Sequence, residues 1–129
     1  MALGPMEHID TSIGTILKDS SNTTSAYGTG AWVNVAGVTL SKGSWVICGR
    51  MELSASENGK TITANIATAS GATVAPSIRF FGDGGGGAYM VAPFEITEDN
   101  TTVYVRGYRS TVVSQSTKFA GYIYAIKIT

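Results

Sequence analysis

Histidine occurs once in this chain, at His8, and cysteine once, at Cys48. A serine or cysteine nucleophile needs a histidine held beside it by the fold, and His8 lies in the first few residues, ahead of any ordered pattern. Histidine-based metal binding fails on the same ground. Cys48 has no partner for an internal disulfide and reads as a small buried or half-buried thiol. Hydrolysis by paired carboxylates needs two acids about 5–9.5 Å apart across a sugar. The acids to consider are Glu52, Asp83, Glu95, Glu98 and Asp99. Glu98 and Asp99 sit in a turn and Glu95 near a strand end. Glu52 lies mid-strand beside Arg50, where an ion pair is the simpler role. The run Gly84 to Gly87, inside "FFGDGGGGAYM", lacks the lysine, the hydroxyl and the following helix of a phosphate loop. It also lacks the several acids of a calcium loop. The chain is therefore expected not to be an enzyme and to need no metal or cofactor.

Arginine is the more informative charge. Arg50, Arg79, Arg106 and Arg109 fall in or at the ends of strand-like runs. In "TTVYVRGYRS", Tyr104, Arg106 and Tyr108 alternate with Val103 and Val105, so the three share a face. Aromatic rings stack on sugar faces and guanidinium forks take hydroxyls or carboxylates. The alternative is stacking and ion pairing at a subunit interface, with Glu52 the natural partner of Arg50 or Arg106. Asp83 and Tyr89, beside the glycine run, are the side chains there expected to touch a partner. The candidate ligand-binding residues are thus Asp83, Tyr89, Tyr104, Arg106, Tyr108 and Arg109.

The elements carrying these residues read as strands throughout. Period-two alternation dominates, and no stretch is helical over 11 residues. In "SWVICGRMELSA" (44–55), Trp45, Ile47, Gly49, Met51 and Leu53 form one face. Further strands are expected at 61–69, 73–81, 88–97, 101–110 and 118–129, with two short ones within 31–45 and one within 14–21. Asn58-Gly59 is a strong hairpin signal, since both residues tolerate positive φ. Pro76 marks an edge or a bulge and Pro93 a break. The glycine run becomes a pliable strand-to-strand connection at one end of the fold. The result is an all-β domain over 13–129: an antiparallel sandwich of roughly eight strands. Residues 1–12 read as a flexible segment or cloning remnant without the features of a signal peptide.

Composition agrees. Sixteen glycines and only 14% charged residues, against a usual charged share of about 25%, fit short strands with a neutral surface. Zero net charge gives no reason to expect nucleic acid, and no apolar run of about 18 residues predicts membrane insertion. The last strand is apolar on both sides. Phe119, Gly121, Ile123 and Ala125 face one way, and Tyr122, Tyr124, Ile126 and Ile128 the other. A monomeric sandwich would wet one of these. The second set is therefore expected either at an oligomer interface or beneath a long loop.

The order of these motifs resembles the globular tips of bacteriophage fibre and baseplate proteins. The resemblance rests on Trp32, Val35, Val38, Leu40, Gly43 and Trp45, on Val103 to Val105, and on Ala125 to Ile128. It implies a jelly roll of the tumour-necrosis-factor and complement-head type, a homotrimer, and a receptor-binding tip that takes a host cell-surface glycan on a virion appendage. No coiled-coil or collagen-like stalk precedes the domain, so the chain is either an excised tip or a small appendage protein. Two other readings fit the same strands: a carbohydrate-binding module of a secreted bacterial protein, and a ligand-free trimerisation or decoration domain.

Overall fold

The computed structural model describes residues 13–22, 32–53, 61–81, 87–109 and 119–129. Valine, isoleucine, tyrosine and threonine alternating with polar residues favour extended backbone, and eight strands form. They are β1 (Ile16–Asn22), β2 (Trp32–Leu40), β3 (Gly43–Leu53), β4 (Thr61–Thr68), β5 (Thr73–Phe81), β6 (Gly87–Ile96), β7 (Thr101–Arg109) and β8 (Phe119–Lys127). Two four-stranded antiparallel sheets result, in the orders β1-β8-β3-β6 and β2-β7-β4-β5. Every connection between consecutive strands crosses from one sheet to the other except that from β4 to β5. That is the connectivity of a jelly roll.

This topology corrects the hairpin expected at Asn58-Gly59. Those two residues lie outside the described residues, but β3 and β4, which they join, belong to different sheets. The hairpin forms one connection later, between β4 and β5. There Gly71 N–H donates to Thr68 O at 2.9 Å and Thr68 N–H to Ala72 O at 2.9 Å, while Thr68 Oγ1 accepts from Ala72 N at 3.1 Å. Local turn chemistry was present at both places. Only the second pair of strands shares a sheet.

Two further expectations change. The two short strands within 31–45 give way to β2, a single strand whose register against β7 shifts between Asn34 and Ala36. The bulge lets Val35 and Ala36, adjacent in sequence, both be buried, which strict alternation forbids. Pro93 does not break β6, which runs through it paired to Val46. β6 is an edge strand, where a missing N–H need not cost a ladder bond. Pro76 likewise falls on an edge strand, β5, at a shift in register between Ala75 and Ile78. The glycine run joins β5 to β6 across the two sheets. Its last residue, Gly87, already belongs to β6 opposite Glu52, and Gly82 to Gly86 lie outside the described residues.

The core lies between the sheets. Trp45, Ile47 and Met51 from β3, Ile123 and Phe119 from β8, Ile66 from β4 and Val103 and Val105 from β7 are almost wholly buried. Trp45 satisfies its indole by donating to Ser41 O at 2.9 Å, as a buried polar group must. β8 carries glycine where the β2 bulge pushes across the core: a Cβ on Gly121 would sit 2.6 Å from Cγ1 of Val35. Asp99, in the turn between β6 and β7, accepts from Lys42 N at 2.7 Å and ties that turn to the β2–β3 turn.

Candidate functional site

Among the described residues both inner faces are filled, and the broad surfaces left are the two outer faces. Residues that pair across strands share a face, so the registers lay out each one.

On the β1-β8-β3-β6 sheet, cross-strand rows run Ile16–Ile126–Val46–Pro93, then Lys18–Tyr124–Cys48–Val91, then Ser20–Tyr122–Arg50–Tyr89. The first row is wholly apolar. Tyr89 is 70% exposed, Val91 68%, Ile16 60%, Ile128 45% and Tyr122 38%. The candidate interface residues Tyr122, Tyr124 and Ile126 sit together on this central strand, and Ile128 follows just past its end. Tyr122 and Tyr124 are neighbours with ring centroids 5.8 Å apart. Between the ridges of β6 and β8 lies a shallow groove along β3, floored by Cys48 and walled by Tyr89, Val91, Tyr122 and Tyr124. Cys48 is 8% exposed. Its hydrogen bond and charge are the main causes raising the Tyr124 hydroxyl above its ordinary pKa. Arg50 is occupied: its Nη2 lies 2.6 Å from Glu52 Oε1, and Glu52 raises its pKa further. The guanidinium also lies 5.9 Å from the Tyr89 ring centroid. The carboxylate that sequence pairs with Arg50 is indeed its partner.

The outer face of the other sheet is built differently. Here the rows run Trp32–Tyr108–Thr63, Asn34–Arg106–Asn65 and Gly37–Tyr104–Ala67. Tyr104, Arg106 and Tyr108 share this face as their alternation requires, all half-buried. Trp32 and Tyr108 are in contact, with centroids 5.2 Å apart and planes tilted by 43°. The Arg106 guanidinium lies 4.8 Å from the Trp32 ring centroid, a cation–π geometry. Arg106 Nε donates to Asn65 Oδ1 at 3.1 Å. Asn65 is only 3% exposed, so this bond satisfies a buried amide. Burial lowers the Arg106 pKa, although the guanidinium stays charged. Tyr104 lies flat over Gly37, where a Cβ would come within 2.5 Å of Tyr104 Cδ1. Gly37 N–H in turn donates to Asp19 Oδ2 of β1 at 3.1 Å.

The sequence-derived ligand residues therefore divide. Tyr104, Arg106 and Tyr108 form one cluster. Tyr89 stands on the opposite outer face, beside Arg50. Arg109 ends β7 with its backbone paired to Ile62, and Asp83 lies outside the described residues. Sequence reasoning missed Trp32 and Asn65. Trp32 joins the cluster only through the β2–β7 register, which no local pattern reveals. Asn65 did carry a signal, as an amide in an otherwise apolar stretch of β4. Among the described residues, no group of three or more His, Cys, Asp or Glu is placed to hold a metal ion. Among the same residues, no helix is long and apolar enough to cross a membrane.

No protein-family model matches this chain, and no curated protein matches it. Among solved structures, it is similar to a chain of the cyanophage Pam1 capsid asymmetric unit at a TM-score of 0.60 and 19% identity, over 94% of this chain and 90% of that one.

Proposed function

We propose that this chain is a structural module of a phage virion, displayed at the particle surface as a homotrimer whose protomers meet through the outer face of the β1-β8-β3-β6 sheet. Its role in this reading is mechanical and adhesive rather than catalytic. The observation that carries the proposal is that outer face: its large apolar side chains are solvent-exposed in a single copy. Contiguous apolar surface of this kind marks a contact site. Four strands about 4.8 Å apart and roughly 30 Å long present on the order of 500 Å² per protomer. Three such faces meeting about one axis bury on the order of 1,500 Å² in all. The charged side chains on this face, Lys18, Arg50, Glu52 and Glu95, balance two against two and include an internal ion pair, so the face does not repel its own copy. The fold likeness to a chain of similar length in a cyanophage capsid structure supports a place on a virion.

Light scattering on the purified protein should give three times the monomer mass. Tyr122→Glu and Val91→Glu should each give a folded monomer. A wild-type monomer at high concentration would overturn the proposal.

A second reading, the receptor-binding tip, is favoured by the aromatic and cationic cluster on the other sheet, which faces away from the proposed interface. In that case the trimer would present three copies of Trp32, Arg106 and Tyr108 outward. Binding of purified protein to host cells, compared with a Trp32→Ala variant, tests it.

A further inference from the structure

We infer that the outer face of the β2-β7-β4-β5 sheet is a binding site for a carboxylate carried on a sugar ring, with Arg106 taking the carboxylate and Trp32 and Tyr108 taking the ring. The inference starts from the state of Arg106. Among the described residues its side chain has no carboxylate within ion-pair distance: the ion pair there joins Arg50 to Glu52. Asp19 directs Oδ2 to the Gly37 backbone N–H. A half-buried guanidinium with no carboxylate beside it among the described residues has lost water and gained one amide hydrogen bond and a ring face, and burial lowers its pKa.

The group is nevertheless held in place. The buried Asn65 amide accepts from Nε at 3.1 Å, and the Trp32 ring covers it at 4.8 Å. With Nε occupied, the terminal amino groups remain as the paired donors that suit a carboxylate. A rigid fork beside two aromatic rings matches a ligand with a carboxylate at one end and a C–H-rich face alongside. A uronic acid has that shape. Asn34 and Thr63, in register with Arg106 and Tyr108, lie on the same face and are able to bond hydroxyls. A bare anion would leave the rings unused, and a neutral sugar would leave the guanidinium uncompensated.

The site is tested independently of the virion reading, because light scattering is blind to it. Titrate the ¹⁵N-labelled protein with sodium glucuronate, sodium acetate and glucose in parallel, following the two indole N–H resonances. Trp45 is buried and bonded to Ser41 O, so its resonance should stay still and serve as the fold control. The Trp32 resonance should move saturably with glucuronate, with a Kd of about 1 mM for a single ring. Acetate and glucose should each bind at least about tenfold more weakly. R106Q should weaken glucuronate binding about tenfold or more, and R106K should recover only part of it, since lysine lacks the planar fork. A stationary Trp32 resonance overturns the site. Equal binding of acetate overturns the role of the rings, and equal binding of glucose, or an unchanged R106Q, overturns the role of Arg106.

Discussion

The two outer faces of this sandwich are built by the same rule and reach opposite ends. Each has aromatic residues on its central strand and an arginine among them. On the β1-β8-β3-β6 face, Arg50 is neutralised by Glu52 at 2.6 Å, and the tyrosines around it stand exposed beside isoleucine and valine. On the β2-β7-β4-β5 face, Arg106 is held by an amide and an indole, Tyr104 and Tyr108 are half-buried, and Trp32 alone of the aromatic neighbours is exposed, at 36%. The first arrangement leaves apolar area uncovered and charge satisfied. The second leaves charge uncovered and most apolar area satisfied. A surface of the first kind is completed by another apolar surface, one of the second kind by an anion. What separates them is the residue next to the arginine, a glutamate in β3 and an asparagine in β4.

The largest effect should come from placing charge in the first face. Val91→Glu should weaken self-association by at least about 2 kcal/mol, and Tyr122→Glu likewise, because each would bury an unpaired carboxylate. Sedimentation equilibrium would read this as monomer. The same change on the second face, Thr63→Glu, should leave the oligomer intact. If both faces respond alike, the contrast between them is wrong.

Next in size is Gly37→Val, which would drive a side chain into Tyr104. It should cost about 1–3 kcal/mol of stability, measured by chemical denaturation, and disturb the Trp32–Tyr108 pair while leaving self-association unchanged. Asn65→Ala removes the acceptor for Arg106 Nε and should cost about 1–2 kcal/mol. Asn65→Asp should instead retain the acceptor and lose the glucuronate response, since it would supply the counter-charge from within. The smallest effect is Glu52→Gln. Both members of that ion pair are well exposed, so stability should change little, and less still at high salt.

Much of the fold was legible because alternation is local. The inward sets on β3, β7 and β8 follow from period two alone, and so does the shared face of Tyr104, Arg106 and Tyr108. What alternation does not carry is which strand lies beside which. Asn58-Gly59 looks like a hairpin from its own chemistry, yet the flanking strands part into separate sheets. Pro93 looks like a break until β6 is known to be an edge. For the same reason Tyr89 could not be separated from Tyr104 by sequence, nor Trp32 joined to Tyr108. The double burial of Val35 and Ala36 depends on a bulge set by the opposite strand and by room at Gly121 on β8. No residue near them announces it.

The strand order also sets the sequence of events as the chain is made. Among the described residues, the sheet neighbour of β1 is β8 and that of β2 is β7, so the domain's first two strands have no place to pair until its last two appear. Gly14 N–H donates to Lys127 O at 2.7 Å, closing the two ends on each other. The β4–β5 hairpin is the one pairing of consecutive strands and the one that can form early. Folding should therefore begin in the middle of the domain and finish only once β7 and β8 are available. Removing β8 should leave β1 without its sheet partner and open the edge of β3.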